Sequence, residues 1–132
     1  MERENVAFLH HMQAHSFLFL EETMRKESEF QAKLIQKLRK SDWVIQVIKN
    51  DPNYIQGFPD LTVFLKNGKW ALLECKREAG ASKQPNQEIY ISWFGECGFA
   101  RFIYPENEEE VLSDLCQYAS RPGRKARTAG SK

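Results

Sequence analysis

Hydrophobic residues along the chain first recur at the three-to-four spacing of a helix buried on one face. Val6, Phe8, Leu9, Met12, Phe17, Leu18 and Leu20 predict an amphipathic helix over residues 5–24. That is more apolar surface than one helix buries by itself, and packing against a second copy of the chain would use it. Phe30, Leu34, Ile35 and Leu38 predict a second helix over 26–40. The pattern then turns strand-like. Val44, Ile45, Val47 and Ile48 are nearly continuous, as in a strand covered on both faces. A turn cluster at 49–53 precedes Gly57 and Pro59. Two apolar runs, 61–65 and 69–75, flank Asn67-Gly68, a strong short-range hairpin signal. Pro85-Asn86-Gln87 opens a further helix that Gly98 ends, residues 99–104 read as a strand closed by Pro105, and 106–118 as a last helix. The order is helix, helix, three strands, helix, strand, helix. It predicts an α/β domain over 1–120, with a right-handed crossover pairing the last two strands in parallel within a mixed sheet flanked by helices.

The hairpin register decides what meets at its open end. With a loop of Asn67-Gly68 alone, Leu61 opposes Glu74 and Asp60 faces the wrong side. With a loop of Lys66-Asn67-Gly68 and Gly68 in the left-handed bulge position, Asp60 opposes Glu74, Thr62 opposes Leu72, and Phe64 opposes Trp70. The second register is preferred, because it brings two carboxylates to cross-strand distance. Alternation then puts Lys76 on the face of Glu74 and turns Cys75 away from it. Two carboxylates suit a hard divalent cation such as Mg²⁺, which keeps several waters and takes few protein ligands. Such an ion would polarise a phosphodiester and activate a water, with Lys76 adding positive charge beside the transition state. Glu27, in the first turn of the second predicted helix, is a candidate third acid, and Gln87 falls in the first turn of the helix after the hairpin.

Charge is balanced overall, at +1, but unevenly spread. Residues 121–132 hold five of the 19 basic residues and no acid, which leaves 14 basic against 18 acidic in the body. The body therefore reads as a mildly acidic frame for a carboxylate site with local basic residues, and 121–132 as a basic flexible tail. Lys49, Lys83 and Arg77 are candidate phosphate contacts. Cys75, Cys97 and Cys116 form no CxxC or zinc pattern and read as reduced thiols of a cytoplasmic protein. His11 and His15 stand at i, i+4, but no acid or cysteine nearby completes a metal site. No stretch approaches the about 18 apolar residues of a membrane span, and the charged opening Glu2-Arg3-Glu4 does not read as a signal peptide.

Pro59-Asp60 followed one hairpin later by Glu74-Cys75-Lys76 resembles the PD-(D/E)XK nuclease superfamily, with an αβββαβ core over about 26–104. Glu27-x-x-Phe30-Gln31, Gln56-Gly57-Phe58-Pro59-Asp60 and Pro85-Asn86-Gln87 make the chain look most like its VRR-NUC group, which includes small phage-encoded stand-alone members. The resemblance implies a restriction-endonuclease-like fold, extended by an N-terminal and a C-terminal helix. It also implies a Mg²⁺- or Mn²⁺-dependent DNA endonuclease, often dimeric, acting on duplex or branched DNA such as Holliday junctions. Asp60, Glu74 and the Cys75 backbone carbonyl would hold the ion, Lys76 would orient or activate water, and Glu27 and Gln87 would complete the site. Cys75 departs from the usual aliphatic residue, and Glu29 competes with Glu27, which is favoured because it lies four residues before Gln31. A non-catalytic DNA-binding module with the same fold, and a nuclease directed at RNA, are the competing readings.

Overall fold

The computed structural model describes residues 2–123, with side chains from residue 12 onward. Most of the predicted basic tail and the side chains of Val6, Phe8, Leu9 and His11 lie outside the described residues.

The two predicted N-terminal helices are one, α1 (Glu2–Arg39). No proline or glycine interrupts the chain between residues 2 and 39, so nothing breaks the backbone ladder. The apolar set of the first half lies partly on a different face from that of the second, and this mimics a boundary. One stripe nevertheless runs on. Leu20, Met24, Glu27, Gln31, Leu34 and Leu38 alternate steps of four and three, so they share a face. An exposed Glu22–Lys26 ion pair at 3.2 Å crosses the predicted junction. At 38 residues the helix is about 57 Å long, and among its described side chains the buried ones lie in the C-terminal half: Leu34 and Leu38 are buried, whereas Phe17, Leu18 and Phe19 are 60–62% exposed.

Four strands follow in chain order across one sheet: β1 (Val44–Lys49), β2 (Leu61–Leu65), β3 (Trp70–Cys75) and β4 (Phe99–Ile103). The first two pairings are antiparallel, and β3 pairs with β4 in parallel through α2 (Gln87–Cys97). α3 (Glu108–Ser120) closes the described chain. The element order from α1 to β4 is αβββαβ, with α3 appended, and the sheet is mixed as predicted.

The preferred hairpin register is the one formed. Thr62 pairs with Leu72 and Phe64 with Trp70. The Leu65 N–H donates to the Lys69 carbonyl at 2.9 Å, and Gly68 has φ +85°. The loop is tied down by Asn67, whose amide donates to the carbonyls of Tyr118 and Arg121.

β1 is covered on one face only, contrary to the sequence expectation. Val44 and Val47 are buried, but Ile45 and Ile48 are 63% and 46% exposed. β1 is an edge strand, α1 packs on its inner face, and an irregularity between Val44 and Gln46 shifts the alternation. Its free edge is blunted locally. The Val47 N–H donates to Gln46 Oε1 and its carbonyl accepts from Arg39 Nη2, so neither group is open to another strand.

The core lies between α1, the sheet and α3, where Leu34, Leu38, Leu61, Val63, Leu65, Leu73, Ile103, Val111 and Leu115 form one cluster. On the opposite face α2 covers β3 and β4 with an aromatic group. Phe94 meets Phe58 and Trp70 edge-on at 5.8 Å, and Gly98 lets the Trp70 ring close in, since a Cβ there would come within 2.7 Å of it. The strand ends that carry Asp60, Glu74 and Lys76 are thus fixed by packing on both faces.

Candidate functional site

The register places Asp60 one step before β2, opposite Glu74 near the end of β3, and the two acids are interlocked through the backbone. The Asp60 N–H donates to Glu74 Oε2 at 3.1 Å, and the Cys75 N–H donates to Asp60 Oδ2 at 2.9 Å. Gln87, the first residue of α2, donates from Nε2 to Glu74 Oε1 at 2.8 Å. Its own Oε1 accepts the Gln84 N–H at 2.9 Å, which fixes the amide orientation. Both oxygens of Glu74 are therefore held. Lys76 places its Nζ 3.2 Å from the Ser82 carbonyl and 4.0 Å from Glu74 Oε1. Glu74, Lys76 and Gln87 are 2%, 7% and 8% exposed. The N–H and C=O of one strand residue point the same way. The Cys75 carbonyl therefore faces the side where Asp60 lies, while the Cys75 thiol is in the core.

The segment between β1 and β2 is pinned at both ends. The Asn50 N–H donates to the Asp60 carbonyl at 2.7 Å, and the Asn50 amide donates to the Pro59 carbonyl and to Thr62 Oγ1. Gly57, at φ +82°, passes so close to the chain before α2 that a Cβ would lie 2.4 Å from the Pro85 carbonyl oxygen. That close approach sets Gln87 beside the Asp60–Glu74 pair.

These groups floor a cleft of about 500 Å³. α1 contributes one wall through Leu20, Thr23, Met24, Glu27 and Gln31, continuing the stripe that becomes core at Leu34. Lys49, Pro52, Arg77, Ser82 and Gln84 also line it. Every acid here is reluctant to ionise. Burial, then repulsion from Asp60, pushes the Glu74 carboxyl up to about 8, against the attraction of Lys76. Burial raises Asp60 and Glu27 as well, although the Cys75 N–H and Lys76 partly offset it for Asp60 and Lys76 for Glu27. Burial also raises the Cys75 thiol, which rules it out as a thiolate ligand or nucleophile near neutrality. Three acids share the cleft with Lys76, Lys49 and Arg77, and burial keeps the acids protonated; a bound cation would favour their ionised forms.

The residues expected at the site are brought together in part. Asp60, Glu74, Lys76 and Gln87 are in mutual contact through Glu74, and Glu27 is half-buried on the cleft wall. Glu29 is exposed and does not line the cleft. Lys49 and Arg77 line it. Arg77 also pairs with Glu78 at 2.8 Å and lies over the Phe19 ring. Lys83 does not line it; its ammonium pairs with Glu88 at 3.2 Å and sits over Phe102. The Ser82 carbonyl and the Gln84 N–H were not anticipated, because backbone groups leave no side-chain signature. Leu20 and Met24 were not expected at the site either; the four-three stripe they share with Glu27 and Gln31 is the signal that marks them.

Among the described residues, no three or more His, Cys, Asp or Glu side chains are grouped to hold an ion. A cation here would draw on two carboxylates plus carbonyl and water oxygens, a donor set that fits Mg²⁺ or Mn²⁺. No described helix is long and apolar enough to cross a membrane. The chain matches no protein-family model, no curated protein and no solved structure.

Proposed function

We propose that the cleft is the active site of a divalent-metal-dependent endonuclease of the PD-(D/E)XK kind, hydrolysing phosphodiester bonds in DNA. The observation that supports this most is the interlocked Asp60–Glu74 pair, buried beside the Lys76 ammonium. Asp60, Glu74 and the Cys75 carbonyl would hold Mg²⁺ or Mn²⁺, and the ion when bound supplies charge neutralisation at the phosphate and a more acidic water. Lys76, held by the Ser82 carbonyl, aims a fixed positive charge at the oxygens that gain charge in the transition state. Gln87 keeps Glu74 in one orientation, so the carboxylate is preorganised. Glu27 stands on the wall with a raised affinity for protons, placed to accept one released by the attacking water. Lys49 and Arg77 would receive neighbouring phosphates.

Supercoiled, duplex and four-way-junction DNA, and an RNA duplex of the same sequence, incubated with Mg²⁺, Mn²⁺ or EDTA, test this reading. DNA products with either metal and none in EDTA are expected. Binding without product on any substrate would leave a non-catalytic module, and cleavage persisting in EDTA would overturn the metal assignment.

The projecting half of α1 supports a second proposal about assembly. Phe17 and Leu18 are 60% and 61% exposed, apolar side chains that a second copy of the chain would cover. Sedimentation should give a dimer for the native chain and a monomer for Leu18→Glu. Identical masses would exclude this face as the interface.

A further inference from the structure

By sequence, Asn50 belongs to the turn cluster after β1, where an asparagine ordinarily bonds the backbone of its own turn two residues on. That task falls to its neighbour, since Asp51 Oδ1 accepts the Asn53 N–H at 2.9 Å. The Asn50 side chain instead reaches nine and twelve residues ahead. Its Nδ2 donates to the Pro59 carbonyl at 2.9 Å and to Thr62 Oγ1 at 3.0 Å. A carbonyl can only accept, so the amide has one orientation. The Asn50 backbone N–H adds a third bond, to the Asp60 carbonyl at 2.7 Å. These three acceptors bracket Asp60 along the chain.

Asp60 has little else to hold its backbone. It stands one residue before β2, and Pro59 has no N–H to give to a ladder. The Asp60 N–H goes to the Glu74 carboxyl instead of a strand carbonyl. That N–H and the Pro59 carbonyl belong to one planar trans peptide and point opposite ways. The peptide is therefore gripped at both ends, by Asn50 on the β1 side and by Glu74 on the β3 side. Turning it would cost both bonds and swing the Asp60 carboxyl off the Cys75 N–H.

Resting on the metal-site reading above, we infer that Asn50 is a positioning residue, which clamps the Pro59–Asp60 peptide so that Asp60 and Glu74 stand preset for a small divalent ion. It acts on the ion only through the backbone of Asp60. Its removal should tell most on an ion with strict geometry. Mg²⁺ demands near-octahedral ligand placement, whereas Ca²⁺ accepts a flexible shell.

Three variants of the full chain test this without DNA. Asn50→Ala removes the amide, and Asn50→Leu removes its donors at nearly constant volume. Val47→Ala weakens the core from the same strand. In calorimetric titrations both Asn50 variants should bind Mg²⁺ about 10- to 100-fold more weakly, the usual cost of losing an outer partner of a metal ligand. The loss for Ca²⁺ should be smaller. In EDTA, the Asp60 and Cys75 amide protons of both variants should exchange several-fold faster by NMR, measured against the Leu73 amide. Val47→Ala should lower the melting temperature and move neither readout. An Mg²⁺ affinity equal to that of the native chain in both Asn50 variants, unchanged exchange at Asp60 and Cys75, or the same losses in Val47→Ala, each overturns the clamp. A native chain that takes up no Mg²⁺, with the exchange pattern as expected, overturns the metal-site reading and leaves the clamp on the carboxyl pair standing.

Discussion

Replacing Lys76 by alanine should lower the rate of the proposed phosphodiester cleavage by roughly 10²- to 10³-fold, the usual cost of deleting one preorganised charge-stabilising donor. The size of the effect follows from how the ammonium is held. It is 7% exposed, anchored on the Ser82 carbonyl, and 4.0 Å from Glu74 Oε1. A charge fixed there needs no reorganisation when the phosphate gains charge, and water screens it little. Its loss also removes the one interaction with Lys76 that favours ionised Glu74 and Asp60, so both acids retain protons to higher pH. The variant should therefore need more Mg²⁺ and show a pH–rate profile displaced to alkaline values. Lys76→Arg should not rescue the rate, because a planar fork cannot occupy the place of a compact ammonium between Ser82 and Glu74. Single-turnover cleavage over a Mg²⁺ series, with circular dichroism to confirm folding, checks both points. A folded alanine variant within about three-fold of the native rate would remove Lys76 from the mechanism.

Legibility in the sequence tracked the distance over which a signal acts. The hairpin was readable because Asn67-Gly68 restricts the turn and because alternation links a slip of one residue to every side chain beyond it. Asp60, Glu74 and Lys76 followed from that one register. Gln87 was readable because a proline marks where its helix can begin, and its contact with Glu74 is a direct one. The continuity of α1 was obscured by apolar residues on more than one face at 17–20. The outer face of β1 was misread because an unbroken apolar run looks alike on a covered strand and on an edge strand at an irregular pairing. What anchors Lys76 and Gln87 was not legible at all, since the Ser82 carbonyl and Gln84 N–H belong to any residue in that loop.

Glu74→Gln separates stability from function in the opposite sense, and should abolish cleavage while making the metal-free protein more stable at alkaline pH. Burial and Asp60 hold the native Glu74 proton up to about 8, against an ordinary value of 4.5 in the unfolded chain. Between those values the folded state binds a proton that the unfolded state has released, so stability falls as pH rises through that window. Below the window both states are protonated and the cost is absent; above it the cost is full, on the order of a few kcal/mol. Glutamine has no proton to lose, so the variant lacks this slope. It keeps one acceptor for Asp60 N–H or Gln87 Nε2 but not both, a loss of about 1 kcal/mol that is the same at every pH. In EDTA the native protein should therefore be the more stable at about pH 5, and the variant should overtake it by about pH 8.5. Mg²⁺ should reverse the order at alkaline pH, because a cation that binds only the folded, ionised pair stabilises the native chain by mass action and leaves the variant unmoved. Thermal melts of both proteins across that range, with EDTA and with Mg²⁺, decide it. Parallel curves in EDTA would mean that Glu74 ionises freely where it lies. The crowding of buried carboxyls, on which the metal site and the nuclease reading both stand, would then not exist.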